Sequence, residues 1–239
     1  MEKKIRELSQ WIQGSHHVVV LTGAGMDTES NIPDFRGKDG WWKNLDPRTV
    51  ASTDTLRENY SLFHEFYAMR LRMLEGIKPH EGHRVLAKME KKGWIQSIAT
   101  QNVAGLHSMA GSQRVYELHG NLRKVRCNDC HREDTPQNFL KKEKCTSCGG
   151  PLRPGVVLFG EILPQEAWDS ALSEIQKCDL LMVIGTSLEV YPVNQLPGMT
   201  SGKTVLINNE IPQGGDLFDR KIIHKAGSVL TELYEILEG

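Results

Sequence analysis

Residues 17–25 read His17-Val18-Val19-Val20-Leu21-Thr22-Gly23-Ala24-Gly25. The valines and leucine follow one another without polar alternation, as in a strand buried on both faces. The run ends in small residues, and a buried strand entering a Gly-rich turn is the opening of a nucleotide-binding βα unit. Gly23, Ala24 and Gly25 would let the main chain approach a pyrophosphate, and the N–H groups of the following helical turn would point at that anion. The strict G-x-G-x-x-G pattern is not met, because Thr28 stands where the third glycine belongs. A tight strand-to-helix turn without a ligand is the competing reading.

Working outward, Ile5, Leu8, Trp11 and Ile12 recur at helical spacing over 2–13, and Gly14-Ser15 ends that helix. Further strand-like runs are 95–99, 114–118, 178–184, 205–208 and 222–224, separated by helical patterns at about 80–92, 165–177 and 228–237. This alternation predicts an α/β fold, a mostly parallel sheet with helices on both faces. Two stretches break it. Residues 38–79 hold Trp41-Trp42, a polar loop and an amphipathic helix expected from about Arg57 to Glu75; residues 121–154 hold paired cysteines and many charges. Both read as insertions forming a smaller domain, a helical module (38–79) and a cysteine ribbon (121–154), on a large domain of 1–37, 80–120 and 155–239.

The 239 residues carry 29 Lys+Arg against 30 Asp+Glu, and hydrophobic residues make up 39%. Enough apolar surface exists to offset chain entropy, which excludes a disordered chain. Balanced charge argues against non-specific nucleic-acid binding as the main activity. No apolar run approaches the roughly 20 residues that cross a bilayer. The N-terminal MEKKIRELSQWIQ is amphipathic and lacks a signal peptide's apolar stretch, so a cytoplasmic protein is expected.

Cys127/Cys130 and Cys145/Cys148 form C-x-x-C-x14-C-x-x-C. Two such knuckles can close a tetrahedron of thiolates around one Zn²⁺, and four thiolates leave no open position, so the metal would be structural. Two redox pairs without metal are the alternative. Cys178 reads as a buried structural thiol.

Other chemistry falls at strand ends. Ile32-Pro33-Asp34-Phe35-Arg36-Gly37 offers a carboxylate, an aromatic wall and a fixed cation beyond the Gly-rich turn. Thr100-Gln101-Asn102-Val103 follows a strand, where open α/β sheets bind ligands, and its amides can reach ribose hydroxyls or a carboxamide. His119-Gly120 follows the next strand, and an imidazole titrating near neutrality suits a general base.

These segments, with Val156-Val157-Leu158-Phe159-Gly160-Glu161 and Gly185-Thr186-Ser187-Leu188, stand in the order seen in sirtuins, and the chain resembles that family of NAD-dependent protein deacylases over nearly its whole length. The resemblance implies a Rossmann-like large domain, a small domain of zinc ribbon plus helical module, and a cleft between them for NAD and acyl-lysine. It implies NAD contacts from Ala24, Gly25, Asp34, Arg36, Gln101, Asn102, Gly185, Thr186, Ser187, Asn208 and Ala226. Phe35 would shield the reacting ribose face, and His119 would be the general base. Val157, Phe159, Gly160 and Glu161 would belong to a strand that pairs with the substrate backbone. Free lysine, nicotinamide and O-acyl-ADP-ribose would be the products. Ala104 stands where the family usually carries an Asp that holds the nicotinamide carboxamide, and Asp27 and Asn31 stand where it favours Ser and Gly.

Tyr67 and Arg70, three apart on one helix face, match the Tyr-x-x-Arg pair of sirtuins that remove succinyl and malonyl groups, and Ala51 is the counterpart of a small residue that opens room for the acid. A guanidinium fork with a phenol would bind an acyl carboxylate directionally. The expected partners are acyl-lysine proteins or peptides, with no membrane or nucleic acid, and the chain is expected to act as a monomer. A mono-ADP-ribosyltransferase on the same scaffold is one rival. The other is a non-catalytic zinc-ribbon nucleic-acid-binding protein, favoured by the basic ribbon but disfavoured by its single aromatic, Phe139.

Overall fold

The structure is a computed structural model that describes residues 1–33, 46–213 and 215–239. Asp34, Phe35 and Arg36, expected at the cofactor, lie outside the described residues.

The run of valines forms strand β1 (Val18–Thr22), buried along its whole length. It pairs in parallel on both sides, with Val20 opposite Ile98 of β2 (Ser97–Thr100) and Met182 of a strand far later in the chain. β3 is Val115–Glu117. Three strands then leave the parallel pattern: β4 (Gly120–Cys127), β5 (Glu133–Asp134) and β6 (Leu152–Val156). β7 (Leu180–Ile184), β8 (Lys203–Asn208) and β9 (Arg220–Ile223) complete the large sheet. Its order is β3-β2-β1-β7-β8-β9, every pairing parallel. Counted within the sheet this is the Rossmann order 3-2-1-4-5-6, and the winding reverses between β1 and β7.

The period-two geometry of a strand divides the core. Val18 and Val20 pack with Ile5 and Leu8 of helix Glu2–Gln13, Val85 and Leu86 of helix Glu81–Lys91, and Val229 and Leu230 of helix Ala226–Glu238. Val19 and Leu21 face the other way, against Ala171 and Ile175 of helix Gln165–Lys177. Helices therefore cover both faces, as the alternation predicts.

A third core belongs to the inserted segments. The antiparallel sheet β5-β4-β6 packs Val125, Cys127 and Leu152 against Phe139, Phe63, Phe66 and Tyr67. Long-range hydrogen bonds tie helix to ribbon, among them Tyr60 Oη donating to the Leu152 carbonyl at 2.7 Å and His64 Nε2 donating to the Phe139 carbonyl at 2.6 Å. The helix expected from about Arg57 to Glu75 is divided into Thr53–Glu58 and Tyr60–Met73. Asn59, at φ −142° and ψ 65°, interrupts it, and its side chain caps the second piece by accepting from Leu62 N at 3.2 Å. Helical periodicity runs on across such a break, so the pattern alone does not mark it. No helix among the described residues is long and apolar enough to cross a membrane.

Candidate active site

The C-terminal ends of the parallel strands bring the expected residues to one edge. Gly23 follows β1, Gln101 follows β2, His119 lies just past β3, and Gly185 follows β7. The two chain turns at the winding reversal touch: Gly25 N donates to the Gly185 carbonyl at 2.7 Å. Gly185 has φ +63°, and a Cβ there would stand 2.3 Å from Met26 N, so no other residue fits this approach. Backbone meeting backbone at a switch point leaves no side chain between the two turns, so a pyrophosphate can approach the main chain closely. Around it, Gln101 Nε2 donates to Thr186 Oγ1 at 3.0 Å, and Asn208 Nδ2 donates to the Thr186 carbonyl at 3.3 Å. Ser187 is exposed beside them, and Ala226 opens the last helix, its neighbour Gly227 N donating to Glu29 at 2.8 Å. These residues fit NAD through the chemistry of their donors and the clearance of their main chain.

Beneath the turn lies a buried polar cluster that the sequence reading missed. Asn102 Nδ2 donates to the Gly23 carbonyl at 2.9 Å and to Asp27 Oδ1 at 2.8 Å. His83 Nε2 reaches the same Asp27 oxygen at 3.1 Å. His107 Nε2 lies 3.0 Å from Thr22 Oγ1, which in turn donates to Thr100 Oγ1 at 2.8 Å. Thr22 gives its proton to Thr100, so His107 Nε2 must be the donor to Thr22. Residues 22, 27, 83, 100, 102 and 107 come from separate elements. Only an imidazole placed among apolar helical positions, as at His83, hints at the cluster in the sequence.

Burial pushes the His83 and His107 imidazoles down to about 3 and the Asp27 carboxyl up to about 6. The pH consequence has a definite sign. The unfolded chain protonates both histidines below about 6.5 while the folded chain does not, so stability rises with pH between about 3 and 6.5. Asp27 acts oppositely between its ordinary value of 3.8 and about 6, where the folded state holds the extra proton. The balance is about one proton favouring the unfolded state, or ~1.4 kcal/mol per pH unit. Thermal unfolding followed by circular dichroism should therefore show the melting temperature dropping by roughly 6–10 °C from pH 6 to pH 4. A flat profile would contradict neutral imidazoles.

His119 is half-buried, and its Nδ1 lies 3.1 Å from the Gln101 carbonyl. A carbonyl only accepts, so Nδ1 carries the proton and Nε2 keeps its lone pair, with no hydrogen-bond partner among the described residues. Burial lowers this imidazole's pKa, which holds it neutral at pH 7. The result is an oriented base.

The segment expected to bind substrate is anchored at both ends. Val157 N donates to the His119 carbonyl at 3.0 Å, and Phe159 N donates to the Ala51 carbonyl at 2.8 Å. Leu158 to Glu161 closes as a turn, Glu161 N donating to the Leu158 carbonyl at 3.0 Å. Gly160 has φ +95° there, and Phe159 remains largely exposed. The Glu161 carboxylate turns inward: it accepts from Leu158 N at 2.8 Å and from both terminal nitrogens of Arg153 at 2.5 and 3.0 Å. Arg153 is 1% exposed and also donates to the Val156 carbonyl at 2.6 Å. Such a buried bidentate pair fixes the turn's geometry, and Arg153 is a second residue the sequence reading missed.

Tyr67 is buried, with the Arg70 guanidinium 5.8 Å from its ring centre and hydrogen-bonded to its hydroxyl. Burial raises the Tyr67 phenol to about 12, so it stays protonated. Ala51, Tyr67, Val156 and Leu158 share one apolar cluster, so helix and turn border the same space.

The sulfurs of Cys127, Cys130, Cys145 and Cys148 all lie within 4.8 Å of one another. Cys127–Cys148 is 3.4 Å and Cys130–Cys145 is 3.6 Å. A tetrahedron with bonds of about 2.3 Å has edges near ~3.8 Å, so the set fits one zinc ion. Asp129 N and Ser147 N each approach a sulfur at 3.4 Å, the main-chain donation that favours thiolate.

A Rossmann-type sheet with a strand-end base and a thiolate ribbon defines a dinucleotide-dependent enzyme with a structural metal. The Sir2 family model matches residues 23–192. The chain is 47% identical over 236 residues to NAD-dependent protein deacetylase 1 of Geobacillus kaustophilus, covering 96% of this chain and 97% of that one. It is 41% identical to NAD-dependent protein deacylase 2 of Archaeoglobus fulgidus, covering 98% and 96%. A solved Sir2 complex with a deacetylated p53 peptide and 3'-O-acetyl ADP-ribose superimposes with TM-score 0.91 at 35% identity, covering 97% and 98%. The chain belongs to the Sir2 family, the sirtuins. It is an NAD-dependent protein deacylase that uses NAD and carries a zinc site.

Proposed function

We propose that this deacylase removes succinyl and malonyl groups from lysine as well as acetyl. The observation that carries the reading is the half-buried Arg70 hydrogen-bonded to the buried Tyr67, which lies in the apolar cluster that holds Ala51 and Leu158. A cation and a protonated phenol at the border of an apolar wall bind a carboxylate with direction. Arg70→Met is expected to lower kcat/KM on a succinyl peptide roughly 10²-fold, since a charged hydrogen bond is lost, and on an acetyl peptide less than ~3-fold. Equal losses on both substrates, read by product mass, would remove Arg70 from acyl selection.

In this reading NAD supplies the electrophilic ribose carbon and carries the acyl group away. His119 Nε2 takes a proton from a ribose hydroxyl while the Gln101 carbonyl holds Nδ1–H and so fixes the tautomer. Gly25, Gly185, Gln101, Thr186 and Asn208 hold the dinucleotide, with Ala24, Ser187, Ala226 and, outside the described residues, Asp34, Phe35 and Arg36 as further contacts. The acyl-lysine peptide, the class of partner named in solved relatives, adds as a strand along Val157 to Glu161, exchanging the Leu158–Glu161 turn bonds for bonds between chains. Glu161 then acts through Arg153, positioning the strand. The domain boundaries are those of the sequence reading. One chain supplies every assigned residue, which fits a monomer, and a four-thiolate site fits a reducing compartment such as the cytoplasm.

A further inference from the structure

Strand β4 starts one residue after His119, and its pairing with β6 breaks near that start. Gly120 stands opposite Val156 and Asn121 opposite Gly155, and the register resumes only at Val125 opposite Pro154. Leu122, Arg123 and Lys124 are left out of the ladder, and a bulge of this kind re-aims the side chains it carries. Here it turns them to the loop after β2. Leu122 N donates to the Val103 carbonyl at 2.7 Å, and a Cβ on Gly105 would stand 2.9 Å from Asn121 Nδ2. Asn121 Oδ1 accepts from Arg123 N at 2.9 Å, which steadies the bulge.

The Arg123 guanidinium holds two carbonyls from distant segments. Its Nε donates to the Ala104 carbonyl at 2.9 Å, on the loop after β2. Its Nη2 donates to the Leu74 carbonyl at 3.1 Å, where helix Tyr60–Met73 ends. The helix dipole favours a cation at that end. A planar fork keeps both carbonyls at a set separation, which a flexible ammonium does not do. The loop is the one whose Gln101 carbonyl orients His119 and whose Gln101 amide reaches Thr186. The helix is the one that carries Tyr67 and Arg70. Arg123 itself is half-buried and takes no part in the steps already assigned.

We propose that Arg123 is a positioning residue for deacylation: by holding Ala104 and Leu74 together it sets the cofactor loop against the acyl-lysine helix. This rests on the reading of those two segments as the cofactor side and the acyl side of one cleft. The effect falls on alignment rather than on binding. The acyl oxygen must lie within reach of the ribose carbon as the bond from that carbon to nicotinamide breaks, and a misplacement of about 1 Å can cost roughly 10²-fold. Water that bonds to the same carbon in place of the acyl oxygen leaves the acyl-lysine intact and gives ADP-ribose, nicotinamide and a proton. A loosened loop therefore lowers turnover and moves product from O-acyl-ADP-ribose toward ADP-ribose.

Arg123→Met and Arg123→Lys are to be compared with the wild type on an acetyl peptide, well below their melting temperatures, with products read by mass and ADP-ribose binding read by calorimetry. The acetyl peptide makes the outcome independent of any succinyl preference. Arg123→Met should lower kcat by roughly 10–100-fold and raise the share of consumed NAD that appears as ADP-ribose. Arg123→Lys keeps the charge but reaches one carbonyl at a time, so it should fall between Arg123→Met and the wild type. ADP-ribose affinity should stay within about twofold in both variants, because the cradle at Gly25 and Gly185 is built on the other sheet. An arginine that only stabilises the fold would lower the melting temperature and leave kcat and the product ratio of the folded enzyme unchanged. That result overturns the proposal, as does full rescue by lysine or a loss of ADP-ribose affinity equal to the loss of kcat. Should Arg123→Met not fold, wild-type kcat and product ratio in Arg123→Lys overturn it alone, and intermediate values support it. A wild type that forms no O-acetyl-ADP-ribose would bring down the reading of the cleft and the proposal with it, whereas the other adverse results remove the proposal alone.

Discussion

His119→Ala is expected to lower deacylation kcat by roughly 10²–10⁴-fold, the usual worth of a positioned general base. The argument rests on orientation as much as on residue type. The Gln101 carbonyl can only accept, so it fixes the proton on Nδ1 and leaves Nε2 basic. The same main chain is anchored by Gln101 N on the Thr22 carbonyl at 3.0 Å, so strand pairing holds the base in place. Burial lowers the imidazole pKa, so the free base persists to lower pH than for an exposed histidine. The acidic limb of the kcat profile should therefore fall below about 6.5, because the base is lost on protonation. ADP-ribose binding by His119→Ala should change little, since a base for one proton transfer contributes little ground-state affinity. Full activity in His119→Ala, with product mass unchanged, would sink the role.

Loss of the metal is expected to have the second large effect. Cys145→Ser, or prolonged chelation, should remove zinc from the protein and lower acyl-peptide turnover by up to about 100-fold. Apparent zinc affinities of structural sites correspond to ~10–16 kcal/mol of folding free energy in small zinc peptides, and this ribbon is similarly short of its own core. Cys127 and Cys145 are buried with Phe139 and Leu152, so releasing the sulfurs opens that packing. The Phe139 and Leu152 carbonyls hold His64 and Tyr60, and the helix carrying Tyr67 and Arg70 loosens with them. NAD binding should survive better than peptide turnover, because the cradle at Gly25 and Gly185 is built on the other sheet. Metal content by elemental analysis, limited proteolysis across 121–154 and titration with ADP-ribose would separate these outcomes. A metal-free protein that keeps its ribbon protected and its turnover intact would refute a structural zinc.

The parts legible in the sequence were those set by neighbours in the chain. The valine run, the Gly-rich turn and the strand-end His119 are local patterns, and the parallel sheet followed from alternating strand and helix signals. The two C-x-x-C knuckles needed only their spacing. Illegible were features that depend on where distant segments meet. The break at Asn59 rests on a single cap inside a pattern that otherwise continues. Glu161 reads only as part of the strand expected to pair with substrate, and only the fold brings the buried Arg153 to its carboxylate.

The sequence by itself determined the fold class, the family and the zinc ligands, because periodicity, spacing and residue order act over a few neighbouring positions. Only the tertiary structure decided the charge states beneath the cofactor cradle. Asp27, His83 and His107 are apart in the chain, and burial together moves each of their proton equilibria. A side chain's hydration is lost to the elements that close over it, and no local pattern records which those are.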